Sequence, residues 1–260
     1  MQEYRKDIVT YKDIAYMMDP SILKLDTSYE DLDALIAACK KYEFGCAFAW
    51  PAYYEEMSRR LRDEAPATEF GASLAFPSGQ EATITKVQQA EYFMTMDPIE
   101  IDMVMNVGWL ISKRYKQAEE DIAAVRRACE GASLKVIIEA MLLNDEQIVD
   151  ACKVVMAAGA DYVKTGSGFS APPTTLHHVE LIRKTVGPDY KVKVAGGVRS
   201  LDILLRMHKL GADRFGVGLP SAVRIMEEAM ALPGGKIHMD EIDLSAETST
   251  VADESAIPEY

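Results

Sequence analysis

Short apolar runs alternate along the chain with longer stretches in which apolar residues recur at i, i+3 and i+4, the spacing of one helix face. The short runs, at residues 21–25, 45–50, 69–76, 99–106, 133–139, 161–165, 191–195 and 213–217, read as eight strands. Amphipathic segments at 31–42, 81–93, 118–129, 146–157, 175–185 and 201–209 read as helices between them. Strict alternation of strand and helix predicts a parallel sheet. Eight repeats with no leftover element predict its closure into a single (β/α)8 barrel, an architecture that suits 260 residues. Local signals agree. Thr27-Ser28-Tyr29-Glu30 has the form of a capping box opening the first barrel helix. Gly159-Ala160-Asp161 and Gly211-Ala212-Asp213, 52 residues apart, each end a helix with glycine and enter a strand. Residues 1–18 are expected to add a short helix across the barrel bottom. Residues 240–260 carry seven acids, no Lys or Arg, and a Ser/Thr/Ala-rich composition that buries little surface. The expected organisation is therefore a barrel over 1–239 and a mobile acidic tail over 240–260.

Three lysines sit oddly in this pattern. Lys135, Lys164 and Lys193 recur every 29 residues, one strand-plus-helix unit, each inside an apolar strand. Side chains alternate faces along a strand, and in a barrel one face meets the helices and the other the lumen. Val192 and Val194 suit the helix side, which turns Lys193 inward; Leu134, Val136 and Ile138 do the same for Lys135 and Glu139. Val163 outward leaves Lys164 inside, and Ile101, Met103 and Met105 outward leave Asp102, Val104 and Asn106 inside. One carboxylate and three amines are expected to converge on one cavity. A bland alternative is a buried ionic network without chemistry, but such networks are weak contributors to stability.

Composition narrows the partners. Hydrophobic residues make up 48% and charged residues 27%, enough for a large core. A net charge of −13 argues against nucleic acid, whose contact relies on clustered Lys and Arg. The N-terminal residues lack an apolar signal region and no run approaches ~18 apolar residues, so a cytoplasmic protein without a membrane span is expected. The four cysteines form no C-x-x-C pair and the four histidines no metal-binding spacing. Neither disulfides, nor a metal, nor any other cofactor is expected. A small molecule is the expected partner; the reading leaves the assembly state open, a homo-oligomer included.

A lysine at its reference pKa of ~10.4 is almost never neutral at pH 7, so an amine nucleophile must be tuned by burial or by a neighbouring ammonium. Two inward lysines on adjacent strands provide that arrangement. The chemistry they suit is Schiff-base formation with a carbonyl, after which a bond alpha to the imine carbon can be made or broken. Asp102 and Lys135 are candidates for shuttling protons. Glycines at the strand ends, Gly166-Ser167-Gly168, Gly196-Gly197 and Gly216-Val217-Gly218, are candidate anion-binding backbone; tight turns explain each equally well.

The stretches Met18-Asp19-Pro20-Ser21-Ile22-Leu23-Lys24, Phe76-Pro77-Ser78-Gly79, Glu100-Ile101-Asp102-Met103-Val104-Met105-Asn106-Val107-Gly108, Leu134-Lys135-Val136-Ile137-Ile138-Glu139, Gly159-Ala160-Asp161-Tyr162-Val163-Lys164-Thr165 and Val192-Lys193-Val194-Ala195-Gly196-Gly197-Val198-Arg199 form a set of motifs. Together they resemble the deoxyribose-phosphate aldolase family of class I aldolases. They follow the family order over most of the chain. The resemblance implies that Lys164 forms the Schiff base, Lys193 depresses its pKa, and Asp102 with Lys135 relays protons. It implies reversible aldol addition of acetaldehyde to glyceraldehyde 3-phosphate. Some members set a C-terminal tyrosine over the site, and this chain ends in Tyr260.

The departures concern the acceptor side. The loop after the sixth strand reads Thr165-Gly166-Ser167-Gly168-Phe169 where the family has Thr-Ser-Thr-Gly-Phe, and Gly216-Val217-Gly218-Leu219-Pro220-Ser221 stands for Gly-Thr-Ser-Ser. Two hydroxyl donors to phosphate are missing, while Trp50 and Trp109 add bulk near strand ends. The leading expectation is an aldolase acting on 2-deoxyribose 5-phosphate or a similar sugar. The alternatives are a related aldolase with a different donor or acceptor, an unphosphorylated one included, and a non-catalytic barrel that binds a metabolite.

Overall fold

The computed structural model describes residues 7–245. Eight parallel strands close into a barrel: β2 (Met18–Ile22), β3 (Cys46–Ala49), β4 (Glu69–Leu74), β5 (Glu100–Val104), β6 (Ser133–Ile137), β7 (Tyr162–Lys164), β8 (Lys191–Ala195) and β9 (Arg214–Gly218), with β9 pairing back onto β2. Outside the barrel, β1 (Ile8–Thr10) pairs antiparallel with β10 (Lys236–His238). The helices are α1 (Tyr11–Met17), α2 (Tyr29–Tyr42), α3 (Tyr54–Glu64), α4 (Thr83–Met94), α5 (Val107–Ile111), α6 (Tyr115–Ala128), α7 (Asp145–Ala157), α8 (Leu176–Val186), α9 (Leu201–Leu210) and α10 (Leu219–Ala231). The main core lies between barrel and helices, where Val136, Val163, Val192, Val194 and Phe215 are fully buried.

Three local expectations need correction. The first barrel strand starts at Met18, three residues before the expected 21; Asp19-Pro20 imitates a turn signal, yet both residues are buried strand. The capping box of α2 uses Ser28 and Asp31 in place of Thr27 and Glu30. Among the described residues the N-terminal helix is α1, and it follows a strand. Its Thr10–Asp13 capping box sets its start, and its Tyr16 ring lies 5.5 Å from the Arg214 guanidinium at the barrel bottom. Past residue 239, Ile242 is still buried and its carbonyl accepts a 2.7 Å bond from Lys209. Residues 246–260 of the expected tail, Tyr260 among them, lie outside the described residues.

The repeated Gly-Ala-Asp has a structural role. Gly159 and Gly211 adopt positive φ of 79° and 126° where helices end. Asp161 then accepts the Leu134 N–H and Asp213 the Val192 N–H, each at 2.8 Å, tying the start of one strand to its neighbour.

Candidate active site

Because the strands are parallel and in register, inward residues stack in layers contributed by alternate strands. Asp102 of β5 and Lys164 of β7 share a layer with Phe48 of β3 and Gly216 of β9; Asp19, Gly71, Lys135 and Lys193 of the intervening strands form the layer below. Gly71 is small because Phe48 fills the lumen there: a Cβ at Gly71 would overlap that ring. A Cβ at Gly216 would crowd the Ala195 methyl at 3.0 Å and come into ordinary contact with Lys193 Cε and Lys164 Nζ at 3.6 and 3.9 Å.

Lys164 Nζ donates to Asp102 Oδ2 at 2.8 Å, and Lys193 Nζ donates to the same oxygen at 2.7 Å. Lys193 also lies 2.6 Å from Asp19 Oδ2 and 4.2 Å above the Phe48 ring. Lys164 retains 6% exposure while Lys193 and Asp102 have none, so Lys164 is the amine a ligand can reach. Burial pushes the Lys164 amine below its ordinary value; Asp102 opposes this and Lys193 reinforces it. Lys193 goes the other way. Burial alone would lower it, but Asp102, Asp19 and Glu100 together raise it. Burial raises Asp102, yet Lys164, Lys193 and Lys135 outweigh that and hold its carboxyl well below the usual range. The two adjacent lysines are thereby shifted in opposite directions, Lys193 toward the ammonium and Lys164 toward the neutral amine.

Lys135 departs from expectation. Its amine bonds Glu100, lies 3.8 Å from Asp19 Oδ2 and sits 4.5 Å over the Tyr162 ring. It does not line the cavity, which is formed by Asp19, Ser21, Leu23, Phe48, Ser73, Asp102, Lys164, Ser167, Lys193, Ala195 and Gly216. Its stem leads toward the lower half of the lumen, where two more carboxylates attract it. The lumen thus holds three carboxylates, where one was expected. Asp19 was hidden by the misplaced start of the first strand. Glu100 is two residues before Asp102, and strand parity alone points it inward. Arg214, which bonds Asp19, alternates with outward Phe215 in the same way.

The glycine loops crown this site. Ser167 and Gly216 line the cavity itself. Gly168, Gly196 and Gly197 take positive φ of 88°, 86° and 95°, which glycine adopts without strain, and the loops after β7 and β8 are joined where the Thr174 N–H donates to the Gly196 carbonyl at 2.9 Å. Gly166 packs against Met141, leaving no room for a Cβ. Gly218 is the N-cap of α10, so the free N–H groups of that helix's first turn open at the end of β9. The nearby hydroxyls are engaged: Ser167 Oγ accepts from Phe169 N at 3.1 Å and Ser221 Oγ from Arg224 at 3.0 Å. Glu139 accepts the Ser167 N–H at 2.6 Å, fixing that loop, and Asn106 caps α5 by accepting the Trp109 N–H at 3.0 Å.

Trp50, Phe76 and Phe169, after β3, β4 and β7, meet edge to face, with ring centroids 5.3 to 6.0 Å apart. Since β7 stands opposite β3 in the ring of eight, Phe169 meets the other two across the barrel mouth. The four cysteines are free and buried. No described helix is long and apolar enough to cross a membrane.

Residues 11–218 match the model of the DeoC/LacD family of aldolases. The chain is 39% identical over 223 residues to the deoxyribose-phosphate aldolase of Lysinibacillus sphaericus, covering 85% of this chain and 97% of that one. It is 38% identical over 212 residues to the deoxyribose-phosphate aldolase of Streptococcus sanguinis, covering 82% and 96%. Among solved structures, the tetrameric deoxyribose phosphate aldolase of Aeropyrum pernix superposes with a TM-score of 0.78 at 26% identity, covering 86% of this chain and 94% of that one.

Proposed function

Because the chain belongs to the DeoC/LacD family of aldolases, which are carbon–carbon lyases, we propose that it cleaves 2-deoxyribose 5-phosphate reversibly through an imine on Lys164. The observation that carries the reading is the Lys164 environment: a buried, reachable amine pushed toward neutrality, with Lys193 held charged on the far side of a shared carboxylate oxygen.

The neutral Lys164 amine attacks the aldehyde carbon of the open-chain sugar, and loss of water gives the imine. The imine withdraws electrons from the adjacent carbon, so the C2–C3 bond breaks as the 3-hydroxyl gives up its proton. Glyceraldehyde 3-phosphate leaves. The enamine left on Lys164 takes a proton at C2, and water hydrolyses the resulting imine to acetaldehyde. Asp102 is the group suited to move these protons. Its Oδ2 holds both amines, and its Oδ1 is buried with no hydrogen-bond partner among the described residues. Lys135 acts from behind by pairing with Glu100 and Asp19, without touching substrate. Backbone N–H groups at Gly166, Gly168, Gly196, Gly197 and Gly218 are the candidates for the phosphate, with Ser167 and Gly216 beside the reacting carbons. Tyr260 belongs to the proposal as a proton carrier only through the family resemblance. The same reading makes the enzyme cytoplasmic and assigns it to carbohydrate catabolism.

Borohydride added with acetaldehyde should fix a reduced two-carbon adduct, and peptide mass mapping should find it on Lys164. An adduct on Lys135 or Lys193 overturns the assignment, and none with any aldehyde favours a binding barrel.

A further inference from the structure

The ionic cluster does not stop at the cavity floor. From Lys164 it runs to Asp102 at 2.8 Å, to Lys193 at 2.7 Å and to Asp19 at 2.6 Å. Asp19 bonds Arg214, which lies 3.6 Å from Glu100, and Glu100 bonds Lys135. The chain of contacts thus passes down the lumen to side chains that regain 10% exposure at the lower mouth, Glu100 and Arg214. Neither lines the cavity and neither bonds Lys164.

Counting charges along this path gives three carboxylates, Asp19, Glu100 and Asp102, against four bases, Lys135, Lys164, Lys193 and Arg214. Three cations balance three anions, and a fourth proton would leave net charge in a lumen shielded from water, which is strongly unfavourable. Arg214 cannot release a proton. Lys193 lies on two carboxylates and Lys135 likewise, whereas Lys164 has an ion-pair distance only to Asp102, through an oxygen already taken by Lys193. The surplus base is Lys164.

The other titratable groups on this lumen leave the count unchanged. Burial raises the Cys46 thiol and the Tyr162 and Tyr54 phenols, which stay neutral. The Tyr16 ring faces Arg214, and Lys191, two residues before Lys193 on β8, is a solvent-exposed cation 5.3 Å over the Tyr162 ring. Glu139 is at the upper rim, bonded to the Ser167 N–H, and Asp213 is outside the barrel on Arg183.

We propose that Glu100 and Arg214 are positioning residues of opposite sign, which set whether Lys164 carries a proton by fixing the charge count of the closed lumen. This rests on the reading of Lys164 as the imine-forming lysine. Removing Glu100's charge leaves the lumen one unit positive and makes a further proton on Lys164 harder to accept. Removing Arg214's charge leaves it one unit negative and makes that proton easier to accept. A residue needed only for folding would impair the enzyme without such a sign.

The test is the pH dependence of borohydride trapping of acetaldehyde, read as adduct on Lys164, in the parent, Glu100→Gln, Arg214→Met and the double variant. The acid limb should move to lower pH in Glu100→Gln and to higher pH in Arg214→Met. Each shift should be about one pH unit, as for a unit charge ~10 Å away at an effective dielectric of ~20. The double variant restores neutrality and should return the limb to the parent position. Should Arg214→Met not fold, Lys135→Met removes one positive charge from the same layers and must give the same upward displacement. Shifts of the same sign, unmoved limbs, or a double variant with no return overturn the inference. An adduct on Lys164 with unmoved limbs sinks the charge-count reading alone, whereas absence of any Lys164 adduct in the parent sinks the imine reading and this one with it.

Discussion

Lys193→Leu tests most directly how Lys164 is tuned. In the parent, the Lys164 and Lys193 amines bond one Asp102 oxygen at 2.8 and 2.7 Å. Two unit charges held about 5 Å apart at an effective dielectric of ~20 interact by ~3 kcal/mol, roughly two pH units. Leucine removes that repulsion and frees Asp102 to pair with Lys164 alone, so both effects raise the Lys164 pKa from its lowered position. The sign follows from the chemistry: only the neutral amine attacks a carbonyl, so activity rises as pH climbs through the Lys164 pKa. A raised pKa moves the acid limb upward. At neutral pH, imine formation should fall by up to about a hundredfold if the full shift is expressed. It should recover as the pH is raised. The measurement is kcat/KM and trapping rate across pH, scaled by the folded fraction, because removing one partner of a buried ion pair destabilises by about 3–5 kcal/mol. An acid limb that stays in place in folded Lys193→Leu would refute like-charge repulsion and leave burial as the sole tuning force. Lys193→Arg keeps the charge, but its planar fork cannot sit between Asp19 and Asp102 as the ammonium does, so the limb should stay while the maximal rate drops.

Three further outcomes are expected. Gly218 has φ −58° and ψ 142°, open to any residue, so Gly218→Ser adds a hydroxyl at the mouth without backbone strain; the efficiency ratio for deoxyribose 5-phosphate over free deoxyribose should rise roughly tenfold, as one hydrogen bond to a charged group gives. A strong phosphate preference in the parent would mean that backbone amides suffice. Gly71→Ala drives a methyl group into the Phe48 ring and should lower stability by about 1–3 kcal/mol, read as a lower thermal midpoint; an unchanged midpoint would mean that the lumen repacks freely. Deleting residues 255–260 should slow exchange of donor alpha-protons with solvent but leave imine trapping intact, and equal exchange rates would remove Tyr260 from the mechanism.

Local information carried the architecture a long way. Alternating short apolar runs and helical periodicities named eight strands, because each barrel strand and helix must present an apolar face to its neighbours whatever their order in space. Parity within a strand then turned Lys135, Lys164, Lys193 and Asp102 inward, since neighbouring side chains on an extended backbone point opposite ways. Where a strand's end is not legible, parity fails: Asp19 reads as part of a turn signal, although it bonds Arg214 and touches Lys193. Beyond parity, nothing local says how far up the lumen a side chain reaches. Lys135 and Lys164 both face inward, yet one descends to Glu100 and the other meets the cavity. That outcome depends on the stagger of the closed barrel, which sets Lys164 beside Asp102 and Lys135 in the layer below. The same closure brings Phe169 across the mouth to Trp50 and Phe76, residues more than ninety positions away in the chain. Residue types and faces are properties of the strand, whereas partners, charge balance and access are properties of the ring, because they arise only between strands that the chain separates and the barrel brings together.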